Sequence, residues 1–195
     1  MPFPVLHSFA GYSVYALSKN KEDHFKLALY CMFLANAADL DFIPGILIGQ
    51  AGRFHHDFSH SFGAAILVGL LSALGMQVWK KRGVLKGFLI SCTAYASHVI
   101  LDLSNGRCKG MPLFWPLSSH RFSPNFRMDY LDKAKSIETA DLGGFLEHLV
   151  SEVSLKRFTL EIIFVGAVWL SFFIWKETKK RTHLKSAAPR LQRAA

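Results

Sequence analysis

Histidine and aspartate side chains of the kind that bind metals are concentrated between His7 and Asp102. Imidazole nitrogens and carboxylate oxygens are the usual nitrogen and oxygen ligands of Zn²⁺ and related divalent ions. His98 and Asp102 stand four residues apart, which places both on one face of a helix. The set exceeds the requirement of a single closed structural site and fits a two-metal centre, or one metal with a general base. Its members are His7, Asp39, Asp41, His55, His56, Asp57, His60, His98 and Asp102.

The strongest local signal is the segment from His55 to Ser61, which carries three histidines next to a long apolar run. The same segment suits a helix start with Ser59 or Ser61 as the N-cap, and the two interpretations are compatible. His98 alone would fit a core histidine bonded to a backbone carbonyl. A carboxylate one helical turn later, at Asp102, favours the metal interpretation.

Other polar residues allow more than one interpretation. The Asp-Leu-Asp segment 39–41 fits the end of a helix near Ala38, followed by a turn at Pro44–Gly45, or it supplies ligands. Glu161, near the outer end of the last predicted helix, fits either a surface charge or a further site group. The remaining histidines are expected on the surface; they are His24, His120, His148 and His183.

The elements that must position these residues are predicted to be helices, giving an all-α integral membrane protein. About 20 apolar residues cross a bilayer as a helix, and three runs qualify: Ser61–Trp79, Val84–Leu103 and Phe158–Trp175. Two shorter segments, Pro4–Ser18 and roughly His24–Ala38, fit core helices, interfacial helices or tilted partial spans. We therefore expect three firm spans and two shorter N-terminal helices.

A hairpin at the Lys80–Arg82 turn would bring distant ligands to one depth. His60 lies about 20 residues before this turn and Asp102 about 20 after it, so at ~1.5 Å per residue both lie about 30 Å from it. His7 and Asp39 likewise fall at the end of the first helix pair that is remote from its basic loop. Because basic residues collect in cytoplasmic loops, the ligand end is predicted to face the outer side.

The distribution of charge suggests the domain organisation. The net charge is +9 although 51% of the 195 residues are hydrophobic. Residues 176–195 hold seven basic side chains against Glu177 and directly follow an apolar run. This pattern is typical of a cytoplasmic anchor rather than of a nucleic-acid binder. We predict one membrane-embedded domain over residues 1–175 with a polar lobe at 104–157, and a basic cytoplasmic tail at 176–195.

Several motifs occur in an order that resembles the LexA-regulated inner-membrane metal-dependent hydrolase family. That family has His-Arg-x-x-Thr-His-Ser where this chain has His55 to Ser61, so Ser59 replaces Thr and His56 replaces Arg. A Trp-Pro segment at 110–122 is also similar, with Ser119 and His120 in place of an Asp and an Arg. The other matching elements are His7, the Asp-x-Asp at 39–41, and Ser97 to Asp102. The ligand order is distantly similar to that of zinc-dependent phospholipase C.

The resemblance implies a multi-pass protein of the cell inner membrane that hydrolyses an ester or phosphodiester of a lipid-like substrate. The expected cofactor is Zn²⁺, as one ion or two. Asp41 or Asp57 would accept a proton, and Arg121 would bind a phosphate oxygen. The alternatives are a small transporter or metal carrier, and a membrane scaffold with a structural metal. The expected metal ligands are His7, Asp39, His55, His60, His98 and Asp102, with Asp41 and His56 in reserve.

Overall fold

The computed structural model describes residues 4–18, 24–80, 83–105, 110–123 and 139–192, and confirms the predicted all-α fold. These ranges contain no β-strand, and Met111 and Phe122 form an isolated antiparallel bridge. Two 3-10 helices, Ala37–Asp41 and Phe58–His60, precede α3 and α4 respectively. The α-helices are α1 Pro4–Leu17, α2 His24–Leu34, α3 Phe42–Leu47, α4 Phe62–Lys80, α5 Val84–Asn105, α6 Leu142–Val150 and α7 Glu152–Gln192.

Two helical hairpins form the body of the protein. In the first, α1 and α2 approach so closely that a Cβ on Gly11 would lie 2.4 Å from the carbonyl oxygen of Cys31. In the second, α4 and α5 pack along their length, and α5 also packs against α1 and α2. Val68 of α4 contacts both hydrophobic clusters of the interior. Contacts of α5 and of Val68 thus join the two hairpins.

Two described helices are long and apolar enough to cross a membrane, Val84–Ser104 and Glu152–Lys179, and the bent pair Phe25–Leu34 and Ala37–Leu47 would make a third. The apolar part of α4 whose side chains are described runs from Phe62 to Gly75 and is shorter. The helix predicted from Ser61 to Trp79 nevertheless forms over nearly that range. No residue in the most apolar part of α7 is buried inside the protein, which suits a helix surrounded by lipid.

The second predicted helix ends at Leu34 rather than near Ala38. The Asn36 amide donates Nδ2 to the Met32 carbonyl at 2.7 Å, which takes an acceptor that a further helical turn would use. The same nitrogen donates to Ser8 Oγ at 3.0 Å. The axis then turns by 51° between Phe25–Leu34 and Ala37–Leu47. This bend directs residues 39–41 toward the ends of α4 and α5.

The last helix is longer than predicted, because α7 starts at Glu152 and continues through residue 176 to Gln192. Glu161 accepts a hydrogen bond from the Leu6 amide at 3.3 Å. The first amides of a helix lack intrahelical partners and a carboxylate there is favourable, so Glu161 joins α7 to the start of α1. Outside the described residues lie Lys81, Arg82, residues 106–109 and 124–138 of the predicted lobe, and the basic side chains beyond Lys179.

Candidate metal centre

Four ligand atoms from three separate segments meet in the interior. The Nε2 atoms of His60 and His98 lie 3.1 Å apart, and each lies 3.3 Å from Asp102 Oδ2. Asp39 Oδ1 lies 3.4 Å from His98 Nε2 and 3.6 Å from His60 Nε2. All four ligand atoms lie within 4.8 Å of one another. Such a compact group of nitrogen and oxygen donors has the chemistry of a zinc-type site.

Each element delivers its ligand for a local reason. His60 ends a 3-10 helix, and Ser61 then starts α4 as its N-cap, since its Oγ accepts from the Ala64 amide at 3.0 Å. His98 and Asp102 face the same way because they are one turn apart on α5. Asp39 lies on the 3-10 helix after the bend at α2. The Asp39 side chain is 28% exposed, whereas His60, His98 and Asp102 are buried.

The imidazole rings are oriented by hydrogen bonds on their far nitrogens. His98 Nδ1 lies 2.8 Å from the Ala35 carbonyl oxygen and donates to it. Asp41 Oδ1 lies 2.9 Å from His55 Nδ1, and Asp41 Oδ2 lies 3.2 Å from His60 Nδ1. Ser59 Oγ donates to Asp41 Oδ2 at 2.6 Å. A metal-binding His commonly donates its other nitrogen to a carboxylate or carbonyl in this way, and Asp41 lies where such an orienting carboxylate would lie.

A second group of potential ligands overlaps the first. It consists of His55, His56, His60 and Asp102, again with ligand atoms within 4.8 Å of one another. His56 Nε2 lies 3.2 Å from Asp102 Oδ2. His56 has a backbone φ of 60°, a left-handed conformation that is uncommon for a non-glycine residue. This conformation allows two consecutive histidines to contribute to one cluster.

His7 lies beside both groups without belonging to either. Its ring stacks on that of His98 with centroids 3.9 Å apart, and its Nε2 lies 3.6 Å from Asp102 Oδ1. The side chain is fully buried, at 0% exposed. The Asp102 carboxylate therefore presents Oδ1 to one imidazole and Oδ2 to three others.

Several buried polar atoms of this cluster have no hydrogen-bond partner among the described residues. They are both ring nitrogens of His7, Asp39 Oδ1, His55 Nε2 and Asp102 Oδ1. Buried polar groups in proteins are almost always paired, so each exception requires an explanation. Three of these atoms are oxygens or nitrogens of residues in the two potential ligand groups. Unpaired carboxylate oxygens and an unpaired imidazole nitrogen are acceptors that a cation would satisfy, so the donor set fits a metal.

The electrostatics of residues 55–60, which we call the histidine loop, also reflect this burial. Burial lowers the pKa of His55, and burial together with the neighbouring His55 lowers the pKa of His56 to about 3. Burial opposes protonation of His60 as well, but hydrogen bonds to Asp102, Asp39 and Asp41 outweigh it and raise its pKa well above the usual value. The carboxylates around His60 therefore favour its protonated, positively charged form.

Two of the predicted catalytic residues lie at the rim of the cluster rather than inside it. Arg121 Nη2 donates to Asp57 Oδ1 at 2.8 Å, and Nη1 donates to the carbonyl oxygens of His56 at 3.0 Å and Gly110 at 2.8 Å. The Asp57 side chain is 44% exposed. Arg121 thus ties the loop at 110–122 to the histidine loop, and it fixes the backbone of His56.

Some contributors were not singled out from the sequence. Ser59 bonds Asp41, and Tyr95 donates its hydroxyl to the Ser59 carbonyl at 2.9 Å. The sequence did offer a sign of the hydroxyl at position 59, because the family that this chain resembles has Thr there. Nothing in the local sequence marks Tyr95. Among the residues expected on the surface, His120 is exposed and its ring meets Phe122 edge-on.

Comparison with known proteins places the chain among inner membrane proteins. The family described as YdjM inner membrane protein matches residues 2–179. Inner membrane protein YbcI of Escherichia coli (strain K12) is 32% identical over 89 residues, which are 46% of this chain and 51% of the relative. The chain therefore spans about half the length of this curated relative. No solved structure matches.

Proposed function

This chain belongs to the YdjM inner membrane protein family, and on that premise we propose that it is a metal-dependent hydrolase. It is a multi-pass inner membrane protein, with two or three apolar helices able to cross the bilayer. The proposed substrate is an ester or phosphodiester of a lipid-like molecule. The observation that carries the proposal is the group of Asp39, His60, His98 and Asp102 around one point.

The spacing of these atoms supports a metal rather than an ordinary polar network. When Zn–N and Zn–O bonds are about 2.0–2.1 Å long and tetrahedral, neighbouring ligand atoms are about 3.3 Å apart. Five of the six separations in the group range from 3.1 Å between the His60 and His98 Nε2 atoms to 3.6 Å between His60 and Asp39, and the sixth, between Asp39 and Asp102, is within 4.8 Å. His98 donates its Nδ1 proton to the Ala35 carbonyl, so in the neutral ring the Nε2 atom carries no proton and can bind a metal. This Nε2 faces the Nε2 atom of His60.

The overlap of the two groups supports a pair of ions. His60 belongs to both groups, but one imidazole nitrogen would bind only one ion. We assign it to the first group, with Asp39, His98 and Asp102. The second group then keeps three protein ligands: His55, His56 and the shared Asp102. Three ligands leave one coordination position for water or substrate, as in catalytic zinc sites. A bound divalent metal supplies Lewis acidity, which activates water near neutral pH and polarises the scissile group.

The protein's own residues have separate roles in this proposal. Asp41 is enclosed by His55, His60 and Ser59, so it orients imidazoles instead of accepting a proton. Asp57 is the remaining candidate proton acceptor, because its carboxylate is exposed at the rim. Arg121 positions the histidine loop through its hydrogen bonds to the His56 carbonyl and the Asp57 carboxylate.

The surroundings of the site support a lipid-like substrate. Large apolar side chains are exposed in the histidine loop, in the loop at 110–122 and on α3: Phe58 is 52% exposed, Leu117 94% and Leu47 80%. Phe58 also lies 5.6 Å from Trp115, centroid to centroid. Phe145 of the short helix α6 packs on Phe42 at 4.8 Å. Apolar groups around a polar site suit a substrate that reaches it from the membrane.

Metal analysis of the detergent-purified protein tests the proposal. We expect about two ions per chain, loss of both in Asp102→Asn, and loss of one each in His98→Gln and His56→Gln. His120→Gln is the matched control, because this histidine is exposed and lies outside the cluster. Wild-type metal content in Asp102→Asn would refute the metal centre.

A panel of phospholipid and phosphodiester substrates then tests hydrolysis. Turnover should require metal and should be lost in His56→Gln. Metal that is retained without turnover of any substrate would instead support the structural-metal scaffold. Metal flux through reconstituted vesicles would support the carrier. Either result would replace the hydrolase proposal.

A further inference from the structure

An apolar groove separate from the metal centre lies between α1, α2 and α7. Its volume is about 460 Å³, within the range of about 300–1,000 Å³ that is typical of ligand sites. The groove is lined mainly by Val5, Phe9 and Tyr12 of α1, Met32 of α2, and Val165 and Trp169 of α7. No charged side chain is among its described lining residues.

The groove has two defined ends along α7. Glu161, Val165 and Trp169 follow one another at intervals of four residues, so they form a stripe on one face of the helix. At one end Glu161 accepts the hydrogen bond from the Leu6 amide. At the other end the ring of Trp169 lies 6.0 Å from that of Tyr12. The stripe is about 12 Å long, from eight residues at ~1.5 Å each.

Helix α1 lies between the groove and the metal centre. His7 points into the centre, and Ser8, the next residue of α1, lines the groove about 100° further round the helix. Ser8 Oγ accepts from Asn36 Nδ2 at 3.0 Å. Asn36 follows Ala35, whose carbonyl binds His98. One helix and one turn therefore separate the apolar groove from the candidate ligands.

The position of the groove indicates its occupant. Val165 and Trp169 lie within the membrane-spanning stretch Glu152–Lys179, so the groove is at the depth of the bilayer hydrocarbon. An uncharged groove at that depth suits a hydrocarbon chain. We propose that the groove holds an acyl chain of the lipid-like substrate, next to the metal centre. This inference rests on the proposed hydrolase function.

Photo-crosslinking tests the groove without requiring catalysis. The full chain is reconstituted in phospholipid vesicles that contain a phosphatidylethanolamine with a diazirine in one acyl chain, and labelled residues are mapped by mass spectrometry. We expect label on Val5, Phe9 or Tyr12, which line the groove on α1. Val165→Trp should reduce this labelling several-fold by filling the groove. Val165→Phe, a smaller change, should reduce it less.

The matched control is Ile163→Trp, which adds the same side chain on the opposite face of α7, where Ile163 is 61% exposed. This variant should label like the wild type. Metal content equal to that of the wild type shows that each variant is folded. Labelling spread evenly around α7, or unaffected by Val165→Trp, would refute the groove while leaving the metal centre intact. Groove labelling without any hydrolysis would refute the hydrolase function alone.

Discussion

Replacing Asp41 by asparagine should weaken metal binding although Asp41 belongs to neither ligand group. Its carboxylate lies 2.9 Å from His55 Nδ1 and 3.2 Å from His60 Nδ1, and it accepts from Ser59 Oγ at 2.6 Å. The Asp41 side chain is only 5% exposed, so water cannot readily replace these contacts. The carboxylate thereby fixes two imidazoles, one from each proposed ion site, with their Nε2 atoms directed inward.

The size of the effect follows from these contacts. Asn at position 41 keeps one acceptor oxygen, and its amide nitrogen donates where the second oxygen accepted. At least one imidazole then loses its acceptor, and a hydrogen bond to a charged group contributes about 1.5–3 kcal/mol. Because each 1.4 kcal/mol is about a factor of ten, binding should weaken by about 10- to 100-fold. Losing an orienting partner of a metal ligand typically has this effect.

Competition with a chelator of known affinity measures the change in detergent-purified protein. Asp141→Asn is the matched control: it makes the same substitution at an exposed N-cap whose carboxylate accepts from the Gly144 amide at 2.9 Å, and Asn caps helices equally well. Circular dichroism checks that helical content is retained. Unchanged metal affinity in a folded Asp41→Asn protein would refute the argument that this carboxylate orients the ligands.

Three further predictions concern other parts of the structure. Arg121→Lys should weaken metal binding about tenfold, since an ammonium cannot reproduce the hydrogen bonds that the guanidinium makes to the His56 carbonyl, the Gly110 carbonyl and the Asp57 carboxylate; chelator competition measures this, and equal affinity would contradict it. Burial opposes protonation of His60, but the carboxylates raise its pKa, so metal binding should release its proton and affinity should rise about tenfold per unit between about pH 6 and 8. Calorimetry in buffers of different ionisation enthalpy detects that proton, and pH-independent affinity would count against it. Gly11→Ala should lower stability by about 1–3 kcal/mol, because the new Cβ would lie 2.4 Å from a carbonyl of α2; thermal unfolding should show no such loss for Gly166→Ala, which has open space.

Much of the fold could be predicted from the sequence, because apolar run length and flanking charges act locally. Ser61 to Trp79 contains no charged residue and became α4, capped by Ser61 as one interpretation expected. The end of α2 could not be placed in the same way. The side chain of Asn36 ends that helix by bonding Met32 and Ser8, and Ser8 lies on another helix.

The candidate site, too, could be predicted from the sequence only in part. Residue types and spacing predicted that these imidazoles and carboxylates lie close together, because a hairpin brings the ends of two apolar helices to one level. Only the tertiary structure decided where each of them lies: Asp41 is behind the rings of His55 and His60, and Asp57 is at the rim with Arg121. The physical reason is scale. Helical rise sets the depth of a residue over tens of ångströms, whereas a ligand differs from an orienting group by which atom lies about 3 Å away, and packing between segments sets that distance.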